Sequence, residues 1–247
     1  QFAERAQGPA AVAPLRQVGV QLSGALLDRR LRYRAGVFNG EGRTAGNPDG
    51  LLLYAARVEF SRLGGTVQFY DELNVTLGAS LAFSGDSARD VSDAGPFRTP
   101  IVDPAYFEGN RVLWGGDLEI GYRGVFLAGE YVRGEYEPEP VAGLSGAGTQ
   151  SVEGLSVEGG YKLWGGLVDL VGRWDAYDPP AAPRRDFAVF GANVYPGMDA
   201  RIGLQYSARL DDGPDVDMPG GVRSTTPGPL PGGLADGQFI LRLQTGF

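Results

Sequence analysis

The chain has 247 residues, 40 of them glycine, with no cysteine, no histidine and a formal charge of -8. That composition excludes a disulfide framework, a thiolate metal site and histidine-based hydrolysis, and it argues against a nucleic-acid binder, which needs a basic patch. No run approaches the roughly 18 to 20 consecutive apolar residues of a membrane helix. The mean hydropathy of -0.15 does not separate a soluble chain from a transmembrane barrel, where alternating faces cancel.

Abundant glycine without a collagen period, together with 11 Tyr and 12 Phe, points to strands and turns. Period-two alternation predicts eleven strands, roughly at 16–26, 29–38, 51–62, 73–84, 111–123, 125–136, 151–162, 167–177, 186–195, 198–210 and 237–247. The tenth is the clearest. Met198, Ala200, Ile202, Leu204, Tyr206, Ala208 and Leu210 alternate with Asp199, Arg201, Gly203, Gln205, Ser207 and Arg209, and a helical period would scatter those charges around the axis. The last segment repeats the pattern, with Phe239, Leu241, Leu243 and Phe247 against Gln238, Arg242 and Gln244.

Most of these strands run ten to thirteen residues, whereas soluble sheets use about five or six and a tilted bilayer crossing needs about nine to eleven. A sandwich or propeller would alternate too, but with shorter strands. The connections also alternate. LDRR (27–30), RG (123–124), LWGG (163–166) and PG (196–197) are tight, 61–73 is intermediate, and 39–50, 85–110, 137–150, 178–185 and 211–237 are long. Short periplasmic turns opposite long external loops are the pattern of an outer-membrane barrel, which places Phe247 at the periplasmic rim. Trp114 and Trp174 then fall on the lipid-facing parity near external strand ends and Trp164 in a periplasmic turn, where interfacial aromatics belong. Residues 1–15 precede a strand that starts outside, so they are expected to be part of an external loop, with an odd number of strands before Gln1.

The stretches FAERAQGPAAVAPLRQVGVQLSG (2–24), LRYRAGVFNGEG (31–42), LYAARVEF (53–60) and EGLSVEGGYKLWGGLVDLVGRWDAYDP (153–179) resemble the phosphate-selective porin O/P family. The resemblance runs over nearly the whole chain. It implies the last eleven strands of a sixteen-stranded antiparallel transmembrane β-barrel, all-β, built as a homotrimer in the bacterial outer membrane. It also implies that residues 1–15 are the remnant of an inward-folding external loop, with 16–247 forming the strands. The terminal aromatic resembles the signal that marks outer-membrane proteins for barrel assembly.

A channel requires fixed charges along a polar lumen rather than a catalytic set. Lumen parity selects the cations Arg32, Arg34, Arg57, Arg123, Lys162, Arg173, Arg201, Arg209 and Arg242, against the acids Glu59, Asp117, Glu119, Glu130, Glu158, Asp169, Asp175 and Asp199. Arginine suits anions because its planar fork donates paired hydrogen bonds, but the same fork pairs with neighbouring carboxylates. Arg5 and Arg16 are the candidates for the pore constriction, with Glu4 beside them. The family's arginine ladder has no clustered counterpart in this chain. DDGPDVD (211–217) lacks the spacing and closing Glu of a calcium loop, and no glycine run has a nucleotide-binding context.

The sequence therefore predicts a weakly anion-selective outer-membrane porin for small hydrophilic solutes, anions such as phosphate among them. No catalytic residue, metal or cofactor is expected, and the partners are membrane lipid and small inorganic or organic anions. A structural barrel that binds a partner through its external loops is the alternative; a barrel enzyme is disfavoured without His.

Overall fold

The computed structural model describes residues 18–39, 50–63, 72–90, 106–138, 149–178, 184–197, 200–210 and 237–245. Eleven strands follow in order: β1 (Gly19–Leu26), β2 (Leu31–Phe38), β3 (Leu53–Ser61), β4 (Asn74–Asp90), β5 (Tyr106–Tyr122), β6 (Val125–Pro138), β7 (Gln150–Leu163), β8 (Val168–Asp178), β9 (Arg185–Gly197), β10 (Ala200–Arg209) and β11 (Gly237–Thr245). They form one sheet in which each strand pairs with its sequence neighbours, from β1 through to β11. Every pairing is antiparallel. This is the predicted all-β antiparallel meander. No pairing joins β1 to β11 among the described residues.

All eleven predicted strands are present, with two boundaries moved substantially. β4 runs past its expected end at 84, and β5 starts before 111, so the two continue as a hairpin to the pair Asp90↔Tyr106, with a register shift between Asp86 and Arg89. The segment SGDSARD (84–90) carries no apolar alternation, so side-chain period gave no sign of it. The backbone ladder needs only donors and acceptors and continues regardless.

Tight turns close one end of the sheet. Arg123 and Gly124 both have positive φ, 47° and 79°, the geometry of a two-residue hairpin turn whose twist matches the flanking strands. The β7–β8 turn is a short 3-10 stretch, Trp164–Gly166, again with positive φ throughout.

Register sorts the side chains onto two faces. One row reads Leu22, Ala35, Ala56, Leu81 and Trp114 from β1 to β5. On the opposite face a row reads Arg32, Glu59, Gly78, Asp117, Glu130, Ser156 and Asp175 from β2 to β8. A slip of one residue would exchange the faces of the slipped strand.

The apolar face is the exposed one. Val20 is 80% exposed, Leu22 68% and Phe190 61%, while the polar face buries Asp175 to 0% and Arg173 to 4%. Toward the long-loop end the apolar face turns polar. Trp114 and Tyr131 sit with ring centroids 5.5 Å apart, and beyond them Arg133 bonds Glu135 at 3.1 Å and Glu153 at 2.9 Å. Further round the sheet, Arg184 stacks over Trp174 at 5.4 Å and pairs with Asp186 at 3.2 Å. Trp164, 74% exposed, stands at the tight-turn end.

Candidate functional site

The charged groups of the polar face are concentrated on β2 to β8. Arg32 of β2 pairs with Glu59, directly opposite on β3. Arg57, two residues before Glu59, donates both guanidinium nitrogens to Asp117 of β5, Nη1 to Oδ2 at 2.8 Å and Nη2 to Oδ1 at 2.7 Å. Nη2 also reaches Glu59 Oε2 at 3.4 Å. The bidentate pair spans β4, and Gly78 makes that possible: it is the register partner of both Glu59 and Asp117. A Cβ at Gly78 would stand 2.6 Å from Arg57 Nη2 and would collide with the Asp117 carboxylate.

Arg34 differs from its neighbours. Its register partner is Arg57, a like-charge opposition that destabilises a sheet unless something neutralises it. Arg57 has its carboxylates, whereas no ion pair to Arg34 is found among the described residues, and the side chain is exposed. Below this level Glu119 and Glu158 flank Ala128 across β5, β6 and β7. Arg173 Nε binds Asp175 Oδ2 at 2.9 Å, with both side chains buried. Asp169, also buried, accepts a 2.7 Å hydrogen bond from the Tyr195 hydroxyl and lies opposite Lys162.

The predicted lumen cations thus divide. Arg32, Arg57 and Arg173 are neutralised by carboxylates, and Arg34 stands open. Lys162, Arg201 and Arg209 are partly exposed on the polar face, with Arg201 opposite Gln244 and Arg209 opposite Phe187. Arg242 lies at register level with Gly203. Arg123 is corrected: it is a turn residue, and its guanidinium leans 5.1 Å from the Tyr122 ring rather than pointing along a strand. Its positive φ ends the alternation on which parity depends. Arg5, Arg16 and Asp199 lie outside the described residues.

Two buried cations of this face, Arg111 and Arg185, escaped the parity assignment. Both lie toward the long-loop ends of their strands, where predicted boundaries are weakest. Arg111 shares the parity of Leu113, Asp117 and Glu119, which is the signal that could have found it.

Nor is this face uniformly polar. Toward the long-loop end Leu53, Ala82, Leu113, Val132, Tyr136, Val152 and Tyr177 form a buried cluster, with Phe38 and Ala55 packed against it. Between this cluster and Arg34 opens a recess of about 470 Å³, whose lining includes Gln21, Arg34, Phe38, Arg57, Leu113 and Val132. Among the described residues, no group of three or more acidic side chains is placed to hold a metal ion.

No protein-family model matches the sequence, and no curated protein matches it. Among solved structures the chain is similar to OmpT, an outer membrane protein of Vibrio cholerae, with a TM-score of 0.48 and 15% identity, covering 80% of this chain and 60% of that one. It is also similar to the Pseudomonas putida toluene transporter TodX, with a TM-score of 0.36 and 14% identity, covering 79% of this chain and 69% of that one. Function, substrate and oligomeric state therefore rest on the chain's own residues.

Proposed function

We propose that this chain is a wall of a bacterial outer-membrane β-barrel and that the barrel is a porin for passive diffusion of small hydrophilic solutes. The observation that carries the reading is the inverted partition of the sheet: Leu22, Leu81, Phe190 and Leu204 are exposed while Arg173, Asp175 and Asp169 are buried. An exposed apolar face this extensive would aggregate in water, but it matches the lipid-facing band of a transmembrane barrel. The Trp114–Tyr131 contact followed by the Arg133 ion pairs marks where that band meets the headgroups. The polar face is then the lumen.

The lumen carries both signs of charge. Among the described residues the lumen-parity cations Arg32, Arg34, Arg57, Arg111, Lys162, Arg173, Arg185, Arg201 and Arg209 slightly outnumber the acids Glu59, Asp117, Glu119, Glu130, Glu158, Asp169 and Asp175. This supports a weak anion preference that admits phosphate among other small anions, rather than a phosphate-specific site. The phosphate-selective porin O/P resemblance and its homotrimer belong to the same proposal. Conductance of the purified protein in a planar bilayer tests it: stepwise ohmic openings are expected, and a membrane-inserted protein without conductance would remove the porin reading. The mass of the detergent-solubilised particle tests the trimer.

A further inference from the structure

We propose that the recess beside Arg34 is a binding site for a small organic monocarboxylate with a compact apolar body. The inference rests on the reading of the polar face as a solute path, and it names the solute class which that face is built to hold.

The argument starts from the opposition of Arg34 and Arg57. Two guanidiniums facing each other across a strand pair need anions, and the carboxylates at hand are turned to Arg32 and Arg57. Arg34 lines the recess, and no ion pair to it is found among the described residues. A carboxylate fits the guanidinium fork with two parallel hydrogen bonds. The other end of the recess is hydrocarbon, lined by Phe38, Ala55, Ala82, Leu113 and Val132, and a volume of about 470 Å³ is within the usual range for a small-molecule site. Inorganic phosphate would satisfy Arg34 and leave the apolar wall wet. An apolar alcohol would cover the wall and leave the like-charge opposition in place. A carboxylate carrying an aromatic or short branched body satisfies both ends.

Glu130 also lines the recess, but it belongs to β6 while Arg34 belongs to β2. Four strand spacings separate their backbones, about 19 Å along the sheet. Glu119 lies on the far side of Asp117 from Arg34.

Isothermal titration of the purified full chain in detergent with sodium phenylacetate tests the site, with inorganic phosphate and benzyl alcohol as the charge-only and body-only probes. Saturable phenylacetate binding is expected, with each comparison probe weaker by about tenfold or more, and Arg34→Ala should weaken phenylacetate by a similar factor. Arg34 is exposed, so its removal leaves the packed cluster intact. Ser80→Phe, which fills the recess from β4 and leaves the Arg34 side chain in place, should abolish binding in the same way. No saturable binding, equal binding of phosphate, or unchanged binding in Arg34→Ala would overturn the proposal. Conductance of the same preparation separates the two readings: a conducting protein that fails to bind phenylacetate loses this site and keeps its porin function.

Discussion

Arg57 and Asp117 are joined by a bidentate ion pair across an intervening strand, over the one position, Gly78, whose missing side chain leaves them room. The pair ties β3 to β5 independently of the backbone ladder. Gly78→Val should force the two apart and lower unfolding free energy by roughly 1 to 3 kcal/mol, the cost of overpacking plus a lost charged contact. Urea unfolding of the detergent-folded protein reads this directly, and an unchanged midpoint would show that the pair gives way without cost.

The same pair sets the lumen's charge. Asp117→Asn removes the carboxylate that holds Arg57 bidentately and leaves that guanidinium, beside Arg34, with only its 3.4 Å contact to Glu59. Reversal potentials under a potassium chloride gradient should shift toward anion preference relative to the parent protein. A shift toward cations would mean that Asp117 does not face the ion path.

Arg5 and Arg16 are expected to add positive potential where an inward loop narrows the pore. Replacing both with Ala should move the reversal potential toward cations. An unmoved reversal potential would take both arginines out of the conduction path.

On the lipid-facing side, cost should depend on depth. Leu118 lies between Trp114 and Tyr122 on the exposed apolar face of β5, so Leu118→Arg should cost about 2 to 4 kcal/mol in a bilayer. Ser151, opposite Glu135 in the ionic belt, should accept arginine for about 0 to 1 kcal/mol. Equal costs in lipid vesicles would contradict the assignment of that belt to the interface.

Strand order and facing were legible wherever one residue in two is apolar. The alternation at 198–210 fixes β10, and the tight turns at Arg123–Gly124 and Trp164–Gly166 follow from their glycines. The Arg57–Asp117 pair was not legible, because it depends on two successive registers and on Gly78 lying between them. The apolar cluster on the polar face left a faint trace: Leu51, Leu52 and Leu53 are apolar on both parities, so alternation had already failed at the start of β3. The β4–β5 extension left no trace, since backbone pairing through 84–90 has no side-chain period to reveal it. Arg123 misled because parity counting assumes that the strand continues, and a positive φ ends it.

The central claim is that this sheet turns its apolar face to lipid and its charged face to water. The chain has no native cysteine, so single cysteines placed one at a time from Tyr54 to Phe60 can each carry a nitroxide label in protein reconstituted into lipid vesicles. Accessibility to oxygen, which partitions into lipid, and to a polar nickel chelate, which stays in water, should alternate with period two. Tyr54, Ala56, Val58 and Phe60 should report lipid, and Ala55, Arg57 and Glu59 should report water. Nickel accessibility at every position of β3, or oxygen-rich values on the Arg57 parity, would contradict the account.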